Sequence, residues 1–249
     1  MYYLDAQRDK DGSEIYRVKN NFNLPLKKDR AGNYKIPSGA TVHVCLTSDF
    51  FLEEADQWRE EAWEIIRKRQ DLHFWLQTKR AERVVACLPP DWGYGWEHVS
   101  ICFTAENQRR ADERLPILLS LPFARKNVMC APMIGEITLE KYLCSGMIGK
   151  VLVDGENYDG RRPLHYDWVK RLYDECREHG VSFDFCGTGN VFVKDGKTFE
   201  VCKAYQHVMA LRSGLQFPIV ATDIPVQPRC RSCPRRDSCN GCKRCGKCG

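Results

Sequence analysis

Six of the fourteen cysteines fall in the last twenty residues: Cys230, Cys233, Cys239, Cys242, Cys245 and Cys248. Their spacing is C-x2-C-x5-C-x2-C-x2-C-x2-C, set among Arg, Lys, Gly, Ser and Pro. A C-x2-C pair places two thiolates on one tight turn, close enough to grip the same ion. Two such pairs make a tetrahedral zinc site, and three or four thiolates make an iron–sulfur site. The stretch has almost no apolar residues, so a metal would have to supply its folding energy. An all-sulfur ligand set suits zinc and a 4Fe–4S cluster alike. The competing reading is a basic tail with reducible thiols.

Charge separates this tail from the rest. From Arg229 to Gly249 seven cationic side chains stand against Asp237 alone, a net of +6, while the whole chain carries +5. The preceding 228 residues therefore sum to −1. Either the cationic residues contact the phosphates of a nucleic acid, or they offset the negative charge of thiolates bound to a metal.

The elements ahead of the tail must form the body. With 249 residues, 43% of them hydrophobic, the chain can build one substantial core. No apolar run approaches the length of a membrane span, and the N-terminus has no signal-peptide pattern. Eight cysteines (Cys45, Cys87, Cys102, Cys130, Cys144, Cys176, Cys186 and Cys202) sit singly in apolar segments. They read as small buried hydrophobes in a reducing cytoplasm.

One pattern recurs in the body: an apolar run, a polar strand end, an amphipathic helix. The runs are 41–46 (TVHVCL), 72–76 (LHFWL), 99–103 (VSICF), 127–131 (NVMCA), 150–153 (KVLV) and 181–185 (VSFDF). The helices predicted between or after them cover 53–69, 81–88, 108–121, 139–144 and 165–179. Continuously apolar runs at this spacing are expected of parallel strands buried on both faces. The fold class is α/β, and six successive units favour a partial, TIM-like β/α barrel over an open sheet. A hairpin is predicted around Asp195-Gly196, and a last helix near 204–213. Residues 9–39 read as a polar insertion with β-like pieces at 15–18 and 34–36, and 89–96 as an aromatic loop. The expected organisation is an N-terminal helix and insertion (1–40), a barrel (41–215) and a cysteine tail (216–249).

Polar residues gather at the predicted strand ends, where such barrels place their sites. They are Ser48, Asp49, Thr78, Lys79, Glu106, Asn107, Glu136, Asp154, Glu156 and Asn157. For each one alone, helix capping competes with function. His43, His73 and His98 have no ligand spacing and read as packing residues. No H-x-x-x-H, G-x-S-x-G or P-loop pattern occurs.

The stretches LQTKR (76–80), VSICFTAEN (99–107), APMIGE (131–136) and VDGEN (153–157), with RRPL (161–164), resemble a family of radical-SAM-like phage and prophage proteins of unknown function. In relatives these segments look like L-T-K-R, V-S-x-E-N, A-E-P-L-x-G, G-G-E-S and A-R-P-M. The resemblance covers about residues 41–190. It implies a radical-SAM-like barrel with an iron–sulfur cluster and S-adenosylmethionine. It further implies a partner of the three-Cys-motif type, and nucleic acid as substrate through relatedness to spore photoproduct lyases. In that reading Asp49, Lys79, Glu106, Asn107, Glu136 and Glu156 hold cofactor and substrate.

Departures from the family pattern matter as much. Family members carry an N-terminal loop with three cysteines ending in Cys-Tyr, but here no cysteine precedes Cys45. Residues 1–8 look like the helix that follows that loop, so the chain reads as starting at an internal Met. A true start with cluster loss is the alternative. Relatives end the sixth strand with a Lys-Gln-Trp-Gly-like turn, where this chain has Cys186-Gly187-Thr188-Gly189. Three functional expectations follow: a radical-SAM-like enzyme without its cluster loop, a non-enzymatic metal- and nucleic-acid-binding protein using the tail, or an inactive prophage fragment.

Overall fold

All six apolar runs are strands in the computed structural model of the chain, which describes residues 15–46, 48–157 and 162–217. The chain is mixed α/β with mostly parallel strand pairing, in two compact units. The first takes the described residues up to Ala105 together with Arg109–Met129, and the second takes Glu106–Gln108 and the described residues from Cys130 onward.

In the first unit, strands β1 (Thr41–Val44), β2 (His73–Thr78), β3 (Val99–Thr104) and β4 (Arg125–Cys130) pair in parallel, in chain order. Every residue of β3 is buried, as a parallel strand covered on both faces requires. Among the described residues β1 pairs on one side only, with β2. Helix α1 (Asp56–Lys68) buries Trp63, Ile65 and Ile66, with Asp56 in its first turn and Arg67 and Lys68 in its last. Those charges oppose the helix dipole at both ends. Helix α2 (Gln108–Ser120) buries Ala111, Leu115 and Leu118 at helical spacing.

The aromatic loop belongs to this unit's core. Trp92 is buried, donates Nε1–H to the Pro122 carbonyl at 2.9 Å, and packs on Trp63, Trp96 and Phe123. Gly95 makes this closure fit, because with its φ of +106° a Cβ there would stand 2.5 Å from the Pro122 oxygen.

The second unit holds helix α3 (Glu140–Leu143), β5 (Ile148–Asp154), β6 (Leu164–His165), helix α4 (Tyr166–Glu178), β7 (Ser182–Gly187), β8 (Val191–Lys194), β9 (Lys197–Glu200), helix α5 (Lys203–Arg212) and β10 (Gln216–Phe217). Strand β7 pairs parallel with β5 and antiparallel with β10. The hairpin β8–β9 turns at Asp195 (φ 51°) and Gly196 (φ 70°), as the Asp-Gly signal predicts. Strand β6 pairs with β8.

Three expectations are corrected. The helix expected over 81–88 is two 3-10 turns, Ala81–Arg83 and Val85–Cys87, because Pro89 and Pro90 end the segment before an α-helix can develop. The β-like pieces at 15–18 and 34–36 are not strands; a single bridge joins Lys28 to Tyr34. Of the eight body cysteines Cys102, Cys130 and Cys176 are buried, but Cys45, Cys144 and Cys202 are exposed, and none forms a disulfide. Among the described residues no helix is long and apolar enough to cross a membrane.

Candidate functional site

The strand-end residues fall into separate clusters in the two units. In the first unit Asp49 is buried and ties the β1 exit to the β2 exit. Its Oδ1 accepts from the Phe51 N–H at 2.9 Å and the Thr78 hydroxyl at 2.8 Å. Its Oδ2 accepts from the Lys79 N–H at 3.0 Å and the Arg80 guanidinium at 3.1 Å. The carboxylate is thus surrounded by protein donors, and it fixes the backbone from which the exposed Lys79 side chain projects. Beside β1 lies a cavity of about 510 Å³ lined by apolar side chains, among them Val42, Val44, Phe50, Trp58 and Phe74.

In the second unit Glu106 and Asn107 adjoin the 134–136 turn. The Glu106 carbonyl accepts from the Ile134 N–H at 2.9 Å, and a Cβ on Gly135 would lie 3.7 Å from the Asn107 Cβ. Glu136 is exposed and paired with Arg171. Glu156 is buried, and its carboxylate receives the Arg162 N–H at 2.8 Å and the Arg162 guanidinium. That guanidinium holds the Glu156 carboxyl below its ordinary value, so it stays charged.

The ends of β5 and β7 meet at close quarters. A Cβ on Gly155 would stand 2.4 Å from the Thr188 oxygen, and one on Gly189 would stand 2.7 Å from the Glu156 nitrogen. Only glycine lets the two backbones approach this closely. The Asn190 N–H then donates to the Glu156 carbonyl, and the Gly155 N–H to the Gly187 carbonyl.

Asp154, the last residue of β5, stands in this junction. Its Oδ1 is sealed from solvent without a hydrogen-bond partner. Burial pushes its carboxyl up to about 6. Burial, then the charges of Asp154 and Asp184, push the neighbouring Cys186 thiol up to about 12, so it remains protonated at neutral pH. His207 reaches the same strand end, with Nδ1 2.8 Å from the Cys186 carbonyl. A carboxyl poised near neutral pH can accept a proton or anchor a cation. Within the second unit the Glu156 carboxylate is matched to Arg162, whereas Asp154 Oδ1 has no hydrogen-bond partner. Sequence placed it among the strand-end residues, but only the structure reveals the missing partner.

Of the three histidines expected to pack, His73 and His98 do, whereas His43 is exposed, with its ring centroid 5.8 Å from that of Trp75. His73 Nε2 lies 3.1 Å from Ser100 Oγ, and His98 Nε2 lies 3.1 Å from the Ile66 carbonyl. Burial pushes His73 down to about 4. The tail cysteines Cys230, Cys233, Cys239, Cys242, Cys245 and Cys248 lie outside the described residues.

Against known proteins, the family described as "Protein of unknown function (DUF5131)" matches residues 5–218. No curated protein and no solved structure matches the chain.

Proposed function

The chain belongs to the DUF5131 family, and on that footing we propose that it is a radical-SAM-like protein binding S-adenosylmethionine at the ends of β5 and β7. The observation that carries this reading is the buried, partnerless Oδ1 of Asp154. S-adenosylmethionine is cationic at its ammonium and sulfonium groups, and an unmatched buried carboxylate is the donor chemistry that takes a cation. When bound beside a reduced cluster this cofactor supplies radical chemistry. Gly187 lies against Asp154 Oδ1, where any Cβ would stand 2.7 Å from that oxygen, and the Glu156 carboxylate beside the junction is already paired with Arg162. A partial β/α barrel is the fold of this reading, and it is compatible with the edge position that β1 takes among the described residues.

The described residues do not fit an iron–sulfur cluster. Such a cluster takes at least three thiolates. Among the described residues the one trio of ligand type is Glu140, Cys144 and His179, with a single cysteine. The resemblance assigns the cluster ligands of this reading to an N-terminal three-cysteine loop; the tail cysteines are a separate 4Fe–4S or zinc site, and the tail's net charge of +6 supports nucleic acid as the partner. A second reading, non-enzymatic binding of metal and nucleic acid through that tail, is favoured by the same charge.

Equilibrium dialysis of labelled S-adenosylmethionine against the anaerobically purified chain tests the first reading. Saturable binding that Asp154→Asn weakens at least tenfold is expected. Absence of saturable binding, or equal binding by the variant, overturns it. Salt-sensitive nucleic-acid binding without cofactor binding would leave the second.

A further inference from the structure

Glu140 opens helix α3 and Cys144 caps its C-terminal end. Four residues apart, they share one helix face. His179 caps the C-terminal end of α4. The two elements are tied together in the second unit: the Leu139 N–H donates to Glu175 Oε2 at 2.7 Å, and Tyr142, Leu143, Leu172 and Cys176 are buried. The three side chains therefore meet on a fixed frame. Cys144 Sγ lies 3.9 Å from His179 Nε2 and 3.9 Å from Glu140 Oε1, and Nε2 lies 2.7 Å from Oε1.

From this geometry we infer that Glu140, Cys144 and His179 bind a zinc-class divalent cation. An ion pair accounts for the short His179–Glu140 contact and a weak thiol hydrogen bond for Cys144 against Glu140, and together they bring three ligand atoms within 4.8 Å of one another, the spacing one ion can bridge. Zinc bonds of about 2.0–2.3 Å give tetrahedral edges of roughly 3.3–3.6 Å. Two of the three edges already lie close to that range. The third must open by about 0.6 Å, which rotation about the flexible Glu140 side chain supplies. One thiolate, one imidazole and one carboxylate form a borderline-soft set that suits Zn2+ or Co2+, whereas Mg2+ and Ca2+ call for six or more oxygens. Glu140 and Cys144 are exposed and the His179 side chain is 20% exposed, so an ion enters directly from solvent. Three protein ligands leave the fourth position to water. A thiolate and a carboxylate balance the two positive charges, and binding releases the thiol proton.

Cobalt(II) is the probe, added to the full-length chain with all six tail cysteines changed to Ser. One equivalent should bind with a thiolate-to-cobalt charge-transfer band, release protons, and be displaced by Zn2+. Cys144→Ser, at an exposed position, should abolish the band and weaken zinc binding at least about 100-fold, more than loss of an outer-shell partner. Glu140→Gln should keep the band and weaken binding. Thermal unfolding of each variant should match the parent, showing that the loss is of a ligand. No charge-transfer band in the parent, or an unchanged band in Cys144→Ser, overturns the assignment.

Discussion

A Cβ on Gly187 would stand 2.7 Å from Asp154 Oδ1, the oxygen without a hydrogen-bond partner, so the bare backbone at Gly187 is what lets that carboxyl sit where it does. The contact is with the tip of a side chain, which can move aside. Gly187→Ala should therefore fold with a loss below about 1 kcal/mol, yet weaken cofactor binding as Asp154→Asn does. Gly155→Ala instead meets backbone, the Thr188 oxygen at 2.4 Å and the Gly189 nitrogen at 2.6 Å. Two strand ends must separate, costing about 1–3 kcal/mol or more. Urea midpoints compare the two variants, and equal losses would contradict this account.

Asp154 also sets a pH dependence. Its folded value of about 6 lies above the ordinary 3.8, so folding disfavours the charged form. Its contribution is most favourable below about pH 4 and is lost as pH rises through 6. Asp154→Asn should stabilise the chain at pH 7–8 by on the order of 1–3 kcal/mol, and have little effect near pH 4. Thermal unfolding across that range measures it. A stabilisation that is the same at both ends would assign it to packing instead of charge.

How much of this was legible in the sequence depended on the length of each signal. The run at 99–103 is apolar throughout because β3 is covered on both faces, and it reads as a strand without help from its surroundings. Strands β6 and β10 are two residues each and exist only because β8 and β7 lie beside them. The segment at 81–88 has helix-forming residues, but the prolines after it decide its length. Asp49 and Asp154 look alike in sequence, as acidic residues following or ending an apolar run. Their difference lies in which donors arrive from elsewhere in the chain. Cys144 and His179 are separated by 35 positions. Glu140 and Cys144 stand four positions apart, but in the sequence Cys144 has the look of a buried hydrophobe and nothing there brings His179 to it.

His73 should make the first unit sensitive to mild acid. Burial, then the charge of Arg125, pushes it down to about 4, while an unfolded histidine titrates near 6.5. Between those values the unfolded state takes up a proton that the folded state refuses. Stability present above about pH 6.5 is therefore lost as pH falls toward 4. His73→Gln removes that proton uptake and should flatten the slope of unfolding free energy in this window, measured by denaturant titration at several pH values. An unchanged slope would show that His73 is protonated in the folded chain.

The tail carries the last prediction, which rests on spacing and charge in the sequence. Four thiolates complete one site, and the even C-x2-C spacing from Cys239 to Cys248 offers four, with Cys230 and Cys233 in reserve. Zinc and a 4Fe–4S cluster are separated by what is bound: sulfide accompanies iron in the second and is absent in the first. Cys239→Ser with Cys242→Ser should lower the bound metal of anaerobically purified protein while leaving thermal unfolding of the body within about 0.5 kcal/mol. The Glu140–Cys144–His179 trio lies elsewhere in the sequence and should keep its own equivalent of zinc in that double variant. Metal, iron and sulfide per chain measure all of this at once. Wild-type protein without metal above background, or a double variant with an undiminished content, would remove the tail from the list of metal sites.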